Sequence, residues 1–293
     1  MDNSFVIATA STADLTKEYL QSHNIPFISY TYVIGDESYS DDCDDATRDL
    51  VYKKMREGSI LTTSAINTYS YYEFFKQLLE EGKDVIFLDM SQAISSSYSY
   101  AEEAANKIKE EYPDRRLVNV DTRCISGGLG LLVEYAVALH EEGKSFDEIV
   151  NWVERNKLMI AHRFTVDDLN WLKRGGRVSN ASALVGTLLS IKPILYVPDE
   201  GSLVVASKVR GRKSALNTLF ESIKSDIKNP EETIIQINHA DCLEESKMIK
   251  DRLMEAFPNL KEVRITNLGV VIGAHTGPGL MAIFYMTDGR RIK

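Results

Sequence analysis

Three short segments of this chain combine hydroxyl, imidazole and glycine residues in a pattern that suits an anion. They are 62–64 (Thr-Thr-Ser), 91–98 (Ser-Gln-Ala-Ile-Ser-Ser-Ser-Tyr) and 273–279 (Gly-Ala-His-Thr-Gly-Pro-Gly). The first two precede predicted helices, where free backbone N–H groups and the helix dipole favour negative charge. Serine and threonine also cap helices without any ligand, so each segment alone has that simpler interpretation. Two hydroxyl clusters together with a glycine-flanked His275 favour an anion pocket, without specifying the anion.

The composition excludes several classes of protein. The 293 residues carry 43 acidic and 34 basic side chains, and 44% of the residues are hydrophobic, which is sufficient for a folded core. The net charge of −9 argues against nucleic-acid binding and against adhesion to anionic membranes. No segment approaches the about 20 apolar residues that span a bilayer, and the first residues lack the basic start of a signal peptide. The dispersed Cys43, Cys124 and Cys242 favour reduced thiols in the cytoplasm.

Standard cofactor motifs are missing or incomplete. The chain has no Gly-x-x-x-x-Gly-Lys-Ser/Thr segment for nucleotide phosphates. The Gly-Leu-Gly at 128–130 resembles the start of a dinucleotide fingerprint, but Val133 occupies the place of the third small residue. The five histidines show no metal-ligand spacing, and the acidic run at 41–45 is typical of a solvated loop whose last aspartate caps a helix. We therefore predict no cofactor, no metal site and no catalytic residue.

Apolar runs alternate with amphipathic stretches over the first half. Strands are predicted at 5–9, 85–88 and 117–120, and helices at 12–22, 46–57, 69–81, 98–111 and 128–142. This alternation predicts an α/β fold with a mostly parallel sheet flanked by helices over residues 1–160.

The second half has a less regular order. Strands are predicted at 193–197, 202–206, 233–238, 260–266 and 280–286, and helices at 214–227 and 243–256. We predict an α+β mixed-sheet domain over residues 161–293, with the ligand between the two domains.

A longer series of motifs points to a family. It runs from Ser-Thr-Ala-Asp-Leu at 11–15 through Thr-Ser at 63–64, Leu-Lys-Arg-Gly-Gly-Arg-Val at 172–178 and Ile-Lys-Pro-Ile-Leu at 191–195 to the segment 273–279. Over essentially the whole chain, the sequence closely resembles the DegV family, the fatty-acid-binding subunits of bacterial fatty acid kinase. The resemblance implies two domains, a long-chain fatty acid in a buried tunnel and a carboxylate held by hydroxyls. It also implies a separate ATP-dependent kinase subunit that phosphorylates this carboxylate to an acyl phosphate.

The resemblance suggests roles for particular side chains. Candidates for binding the carboxylate are Thr63, Ser64, Ser95, Ser96, His275 and Thr276. Candidates for lining the acyl tunnel are Leu184, Leu188, Ile191 and Ile194. Candidates for docking the kinase subunit are Arg174, Arg177 and Arg210, although the first two would equally suit the C-terminus of a helix.

Two positions depart from the pattern of the family. The first strand normally ends in Thr-Asp-Ser, whereas here Ala10 lies between Thr9 and Ser11, so a carboxylate near the loops is missing. The second loop normally reads Leu-Ser-Gly-Thr-Tyr, and here Ser96 replaces the glycine, which adds bulk and restricts the backbone. Both departures bear on how the head group is held.

Burial energetics agree with a carrier of this kind. A saturated chain of 16 carbons has about 14 methylenes, whose full burial is worth on the order of 11 kcal/mol before ordering costs. A buried carboxylate, in contrast, needs hydrogen-bond partners, which neutral hydroxyls and loop N–H groups can supply. One of its oxygens then stays available to attack the γ-phosphate of ATP on the partner.

Two other functions are weighed against the carrier. A serine hydrolase of an acyl ester would use Ser95 with His275, but the chain has no Gly-x-Ser-x-Gly elbow and no evident acidic residue to orient the histidine. A DNA-associated role is prompted by the basic run at 208–213, which lacks a surrounding helix-turn-helix pattern and lies in an acidic chain. We expect neither nucleic-acid binding nor stable membrane insertion.

Overall fold

The structure is a computed structural model, and it describes residues 4–178 and 190–290. The described strands are β1 (Phe5–Ala10), β2 (Phe27–Ile28), β3 (Thr31–Ile34), β4 (Glu37–Ser40), β5 (Leu61–Ser64), β6 (Asp84–Asp89), β7 (Leu117–Asp121), β8 (Ile160–Thr165), β9 (Ile191–Tyr196), β10 (Val204–Arg210), β11 (Ile234–His239), β12 (Glu262–Asn267) and β13 (Met281–Met286). The described helices are α1 (Lys17–Ser22), α2 (Asp45–Arg56), α3 (Thr68–Glu80), α4 (Ser97–Glu111), α5 (Gly127–Glu141), α6 (Phe146–Asn156), α7 (Leu169–Gly175), α8 (Arg212–Asp226), α9 (Leu243–Ala256) and α10 (Val270–Thr276).

A parallel sheet forms the centre of the first half. Its strands lie in the order β2-β1-β6-β7, and all neighbours run parallel. The central strands β1 and β6 are almost wholly buried, and α3, α4 and α5 pack on the sheet. Since the carboxyl ends of parallel strands meet at one edge, the segments that follow β1, β6 and β7 share that edge. The parallel sheet predicted from the alternating pattern is confirmed.

A small antiparallel sheet, which the sequence pattern did not predict, lies beside this edge. Its order is β4-β3-β5, and β3 and β4 form a hairpin around Gly35, which adopts a left-handed φ of 62°. Two-residue hairpin loops favour such a glycine. The register pairs Tyr32 with Thr63 and Thr31 with Ser64, so β5 carries the first hydroxyl segment on a fixed strand.

The second half is built on a mixed six-stranded sheet in the order β10-β9-β8-β13-β11-β12. Only β11 and β12 pair in parallel, and the other neighbours are antiparallel. Helices α8 and α9 cover one face, where Phe220, Ile223 and Leu253 pack on the strands. The predicted mixed sheet is confirmed, and β8 begins at Ile160, beside the predicted domain boundary.

Helix α5 joins the two halves, because it packs both on β1 and β6 and on β8, β11 and β13. Its first glycines permit this close packing. A Cβ at Gly127 would lie 2.3 Å from Asn238 Oδ1, and one at Gly128 would lie 2.2 Å from His162 Nε2. Gly127 and Gly128 therefore serve the contact between the halves, whereas Gly130 packs within the first half, where a Cβ would lie 2.5 Å from the Ala13 carbonyl oxygen.

One predicted helix is wrong. Residues 12–22 do not form a continuous helix, because Ser11–Ala13 is a single 3-10 turn and Asp14 then adopts a left-handed φ of 54°. Helix α1 begins only after Thr16, whose side chain accepts a hydrogen bond from the Tyr19 N–H. Within the described residues, no helix combines the length and the hydrophobicity that crossing a membrane requires.

Candidate functional site

The first and third polar segments meet through a direct side-chain contact. Thr63 Oγ1 on β5 lies 2.7 Å from His275 Nε2 in the last turn of α10, and both side chains are partly buried. The two residues are 212 positions apart and belong to different halves of the protein. The contact therefore places a hydroxyl and an imidazole together at the junction of the halves.

The second polar segment approaches the first through two hydrogen bonds to residues that flank β3 and β5, Tyr30 and Ile66. Ser95 Oγ lies 3.4 Å from the hydroxyl of Tyr30, which immediately precedes β3, and it accepts a 3.2 Å bond from the Ser97 N–H. Ser97 Oγ in turn accepts a 3.0 Å bond from the Ile66 N–H, just beyond β5. All three segments therefore lie close together, as an anion pocket requires.

The remaining carboxylate candidates differ in position. Thr276 is buried, and its hydroxyl donates to the carbonyl of Ile272 one turn earlier at 3.0 Å. Ser64 and Ser96 are exposed, and the Ser96 side chain does not cap α4 although it stands at the N-cap position. Thr63, Ser95 and His275 are thus the partly buried members of the set.

Burial controls the charge of His275. Together with the nearby Arg177 guanidinium, which contributes less, burial lowers the pKa of the imidazole to about 4. The ring is therefore neutral at physiological pH, and Nε2 either donates to Thr63 or accepts from it, depending on the tautomer.

We expect His275 to remain neutral from pH 8 down to about pH 5, because its pKa of about 4 lies below that range. The measurement is an NMR titration of the imidazole resonances, with the His275 signals assigned by their loss in a His275→Gln variant. A His275 midpoint above pH 6 would contradict the burial argument.

The arginines beside the site are held by their own helix. Helix α7 ends at Gly175, and Arg177 Nη1 donates to the Gly175 carbonyl at 2.6 Å, while Arg174 lies 4.1 Å from the centre of the Trp171 ring. The Arg177 contact matches the alternative in which this arginine terminates a helix, whereas Arg174 stacks on Trp171. Both remain exposed, so docking stays a prediction, as it does for Arg210 at the exposed end of β10.

A small apolar cavity lies directly behind the polar cluster. It has a volume of about 40 Å³, and the surface that faces it is apolar. Its described lining comes from the β7–α5 loop, the second sheet, the loop before β10 and α10, and comprises Ile125, Ser126, His162, Phe164, Val197, Leu203, Leu268, Ile272, Thr276, Leu280, Ala282 and Phe284. Thr276, which lines the cavity, directly follows His275 of the polar cluster in α10.

The tunnel candidates lie elsewhere or outside the described residues. Ile194 is buried on the other face of the sheet, where it packs with Ala215 and Leu219 of α8. Ile191 at the start of β9 is only partly buried, and neither residue is among those that line the cavity. Leu184 and Leu188 lie outside the described residues.

His162 shapes one wall of the cavity. Its Nε2 accepts a hydrogen bond from the Ile125 N–H at 3.1 Å, and its Nδ1 lies 3.0 Å from the Ile160 carbonyl. Complete burial lowers the pKa of this histidine well below its usual value, so the ring stays neutral. Ser126, the residue after Ile125, has a left-handed φ of 57°, and its hydroxyl donates to Asp14 Oδ2 at 2.5 Å.

A buried carboxylate lies beneath the second segment, and the sequence pattern did not single it out. Asp89 ends β6 and accepts a hydrogen bond from the Met90 N–H at 2.7 Å, and Tyr71 Oη lies 3.5 Å from Asp89 Oδ2. Burial is the main cause that raises the pKa of Asp89 to about 7, and the Asp121 carboxylate on β7 contributes to this rise. The polar residues of 91–98 were visible in the sequence, but the network below them depends on Tyr30 and Tyr71, which looked like ordinary aromatic positions.

The hydrolase alternative lacks its central contact. Ser95 Oγ contacts Tyr30 and Ser97, whereas His275 Nε2 contacts Thr63. A serine nucleophile needs its base within hydrogen-bond reach, as part of an oriented set. Nor do the described residues contain a group of three or more His, Cys, Asp or Glu side chains that could hold a metal ion.

The parallel sheet, the mixed sheet and the polar cluster between them define a two-part α/β protein with a polar site at the junction of its halves. The model of the DegV family matches residues 4–288. A DegV domain-containing protein of Clostridium perfringens is 41% identical over 285 residues, which cover 97% of this chain and 98% of the relative. The chain belongs to the DegV family.

Solved structures agree with this assignment. A DegV family protein from Thermus thermophilus, described by its fatty acid binding, matches with a TM-score of 0.86 and 28% identity over 97% of this chain and 99% of that chain. A fatty acid (stearic acid)-binding protein from Eubacterium ventriosum matches with a TM-score of 0.86 and 26% identity over 97% and 98% of the two chains.

Proposed function

We propose that this chain binds a long-chain fatty acid, with the carboxylate at Thr63, Ser95 and His275 and the acyl chain in the apolar cavity behind α10. One observation carries the proposal: the polar cluster of three converging segments and a cavity with an apolar surface meet at consecutive residues of α10, His275 in the cluster and Thr276 in the cavity lining. Such a pairing of polar and apolar surfaces fits a ligand with one charged end and a long hydrocarbon chain.

The polar cluster suits a carboxylate that must be held without a tight ion pair. Hydroxyls and a neutral imidazole can donate hydrogen bonds to its oxygens, which offsets part of the desolvation of the charge. Arg177 lies near enough to lower the pKa of His275, so a positive charge stands at the rim of the site.

Relatives support the acyl ligand. The proteins from Thermus thermophilus and Eubacterium ventriosum are described as binding fatty acids, in the second case stearic acid, and both match nearly the whole chain. The cavity of about 40 Å³ is much smaller than a long acyl chain requires. A long acyl chain therefore has to displace the side chains that line the cavity, and burial of its methylenes at about 0.8 kcal/mol each supplies the driving force.

We further propose that the bound carboxylate is presented to a separate ATP-dependent kinase subunit, which converts it to an acyl phosphate. The absence of a nucleotide-phosphate loop from the sequence supports the need for such a partner. The exposed Arg174, on α7, and Arg177, two residues beyond the end of α7, are candidates for contacting it. We place this role in the cytoplasm, because Cys43, Cys124 and Cys242 are free thiols.

Mass spectrometry of small molecules extracted from the purified protein tests the ligand. A stoichiometric fatty acid is the expected result, whereas a protein that is repeatedly recovered without one and fails to bind added palmitate would contradict the proposal. Incubation with labelled palmitate and ATP separates the second step: acyl phosphate should form only when a kinase subunit is added. Product formed by this chain alone would contradict the carrier role.

Replacing Thr63 with valine is expected to weaken palmitate binding by about 10-fold, because a hydrogen bond to a charged group contributes about 1.5 kcal/mol or more. Isothermal titration calorimetry on delipidated protein measures the change. Thr62→Val is the matched control, since Thr62 is the exposed neighbour on β5, and it should change the affinity by less than about 2-fold. If both variants bind palmitate with the affinity of the wild type, Thr63 does not bind the carboxylate.

A further inference from the structure

Helix α10 is short, so its neighbours determine where it lies. It has seven residues, begins without a side-chain cap at Gly269, and carries His275 in its last turn. Isolated helices shorter than about 12 residues are marginal in water. The position of the His275 imidazole therefore depends on the contacts that hold α10 against the rest of the protein.

Tyr52 on α2 makes the closest of these contacts at the start of α10. The side chain is 2% exposed, and its hydroxyl donates to the carbonyl of Leu268 at 3.0 Å and lies 3.3 Å from that of Gly269. A Cβ at Gly273 would lie 2.3 Å from the same hydroxyl oxygen. The backbone of α10 thus rests directly on the tip of Tyr52.

Arg48, one turn earlier on α2, holds the preceding residue of the same loop. Its Nη1 donates to the Asn267 carbonyl at 3.1 Å, while its Nη2 donates to the Leu15 carbonyl at 2.9 Å. Residues four apart on a helix share one face. Arg48 and Tyr52 therefore form a row of donors on α2 that binds consecutive carbonyls of the β12–α10 loop.

The C-terminal end of α10 is enclosed on another side by α7. A Cβ at Gly175 would lie 2.8 Å from His275 Nδ1 and 3.0 Å from His275 Cβ. With α2 against Gly273 and α7 against His275, the imidazole has little freedom, and its Nε2 faces Thr63 at 2.7 Å. A displacement of about 1 Å would break that contact.

We propose that Tyr52 is a positioning residue for the polar site: its hydroxyl fixes α10 on α2 and thereby holds His275 against Thr63. The part of this inference that concerns affinity rests on the proposed function, whereas the part that concerns the position of His275 does not. Tyr52 acts from outside the site, through the helix backbone, since its hydroxyl is directed at the Leu268 carbonyl.

Tyr52→Phe tests the inference by removing a single oxygen atom. We expect palmitate affinity to fall by about 5-fold, in line with the loss of one neutral hydrogen bond. We also expect the His275 imidazole resonances to shift and its pKa to rise toward the ordinary value, because a loosened α10 exposes the ring to water. Calorimetry measures the first effect and an NMR titration the second.

Tyr285→Phe is the matched control. Tyr285 is equally buried and donates to Asp226 at 2.6 Å on the other face of the second sheet. This variant should lose stability as Tyr52→Phe does, with His275 and the affinity unchanged. Identical His275 titrations in Tyr52→Phe and the wild type would overturn the inference, and so would an equal shift in Tyr285→Phe.

Gly273→Ala is a second variant that tests whether the contact with Tyr52 positions α10. Alanine favours the helix, but its Cβ meets the Tyr52 hydroxyl and must push α10 away. We expect the same direction of change in affinity and in the His275 resonances; an unchanged His275 contradicts the inference. If the wild type binds no fatty acid at all, the proposed function fails, while the His275 titrations still decide whether Tyr52 positions the helix.

Discussion

Replacing Arg48 with methionine is expected to lower the free energy of unfolding by about 3–5 kcal/mol at pH 8. Arg48 is fully buried, and it donates to two backbone carbonyls and to Asp45. Methionine fills much of the space but leaves the carbonyls of Leu15 and Asn267 without this donor. The larger part of the effect comes from the buried carboxylates of Asp14 and Asp41, which the positive charge of the guanidinium stabilises.

Asp14 and Asp41 are both buried, and burial raises the pKa of each, to about 7 in the case of Asp14. The positive charge of Arg48 opposes this rise at both residues, so its removal raises their pKa values further. A carboxyl whose pKa is higher in the folded than in the unfolded protein loses stability as the pH rises. The loss caused by Arg48→Met should therefore be larger at pH 8 than at pH 5.

Urea unfolding followed by circular dichroism at pH 5 and pH 8 measures this difference. Arg116→Met is the control, because Arg116 pairs with Asp147 at the surface and the substitution should change stability by less than about 1 kcal/mol at either pH. A loss below about 1 kcal/mol for Arg48→Met, or one that does not grow with pH, would contradict the role assigned to the guanidinium.

The sequence predicted the parts of the fold that have a strong periodic pattern. Strands β1, β6 and β7 are short apolar runs between amphipathic stretches, and this pattern is typical of buried strands that alternate with helices. The sheet β4-β3-β5 was missed, because β4 reads Glu-Ser-Tyr-Ser and carries little hydrophobic signal. The helix at 12–22 was wrong, because the left-handed conformation of Asp14 follows from its buried contacts and not from local propensity.

The site was predictable only in part, for a related reason. Serines, threonines and a glycine-flanked histidine could be recognised by type, but the contact between Thr63 and His275 joins residues 212 positions apart. Arg48 and Tyr52 lie on an amphipathic helix, where the sequence pattern predicts that an arginine is exposed. Their partners are backbone carbonyls, which every residue has and which the sequence therefore cannot identify. Strand alternation placed Ile194 and Leu195 on opposite faces, yet the sequence does not say which face the cavity adjoins.

Replacing Asp89 with asparagine is expected to stabilise the protein at pH 8 by as much as about 4 kcal/mol, and by close to zero at pH 4. The pKa of Asp89 is raised from 3.8 to about 7 in the folded protein. Between these values the folded protein binds a proton that the unfolded chain has released, so stability falls as the pH rises through that range. Asparagine cannot ionise, and it can still accept the hydrogen bond from the Met90 N–H.

The comparison of urea unfolding at pH 4 and pH 8 measures the gain. Asp84→Asn, at the other end of β6, is the matched control and should change stability by less than about 1 kcal/mol at both pH values. A gain for Asp89→Asn that is equal at pH 4 and pH 8, or a loss at pH 8, would contradict the assigned ionisation.

A carboxylate that lowers stability at the end of a buried strand calls for a reason, and its position suggests one. Thr9 on β1 pairs with Leu88 on β6, so the next residues, Ala10 and Asp89, end neighbouring strands at the same edge. The resemblance to the family implies an aspartate in the place of Ala10, and Asp89, 3.5 Å from the Tyr71 hydroxyl, provides a carboxyl at this edge. We therefore expect Asp89→Asn to weaken palmitate binding while it stabilises the protein, a combination that is common where a site is built at the expense of stability.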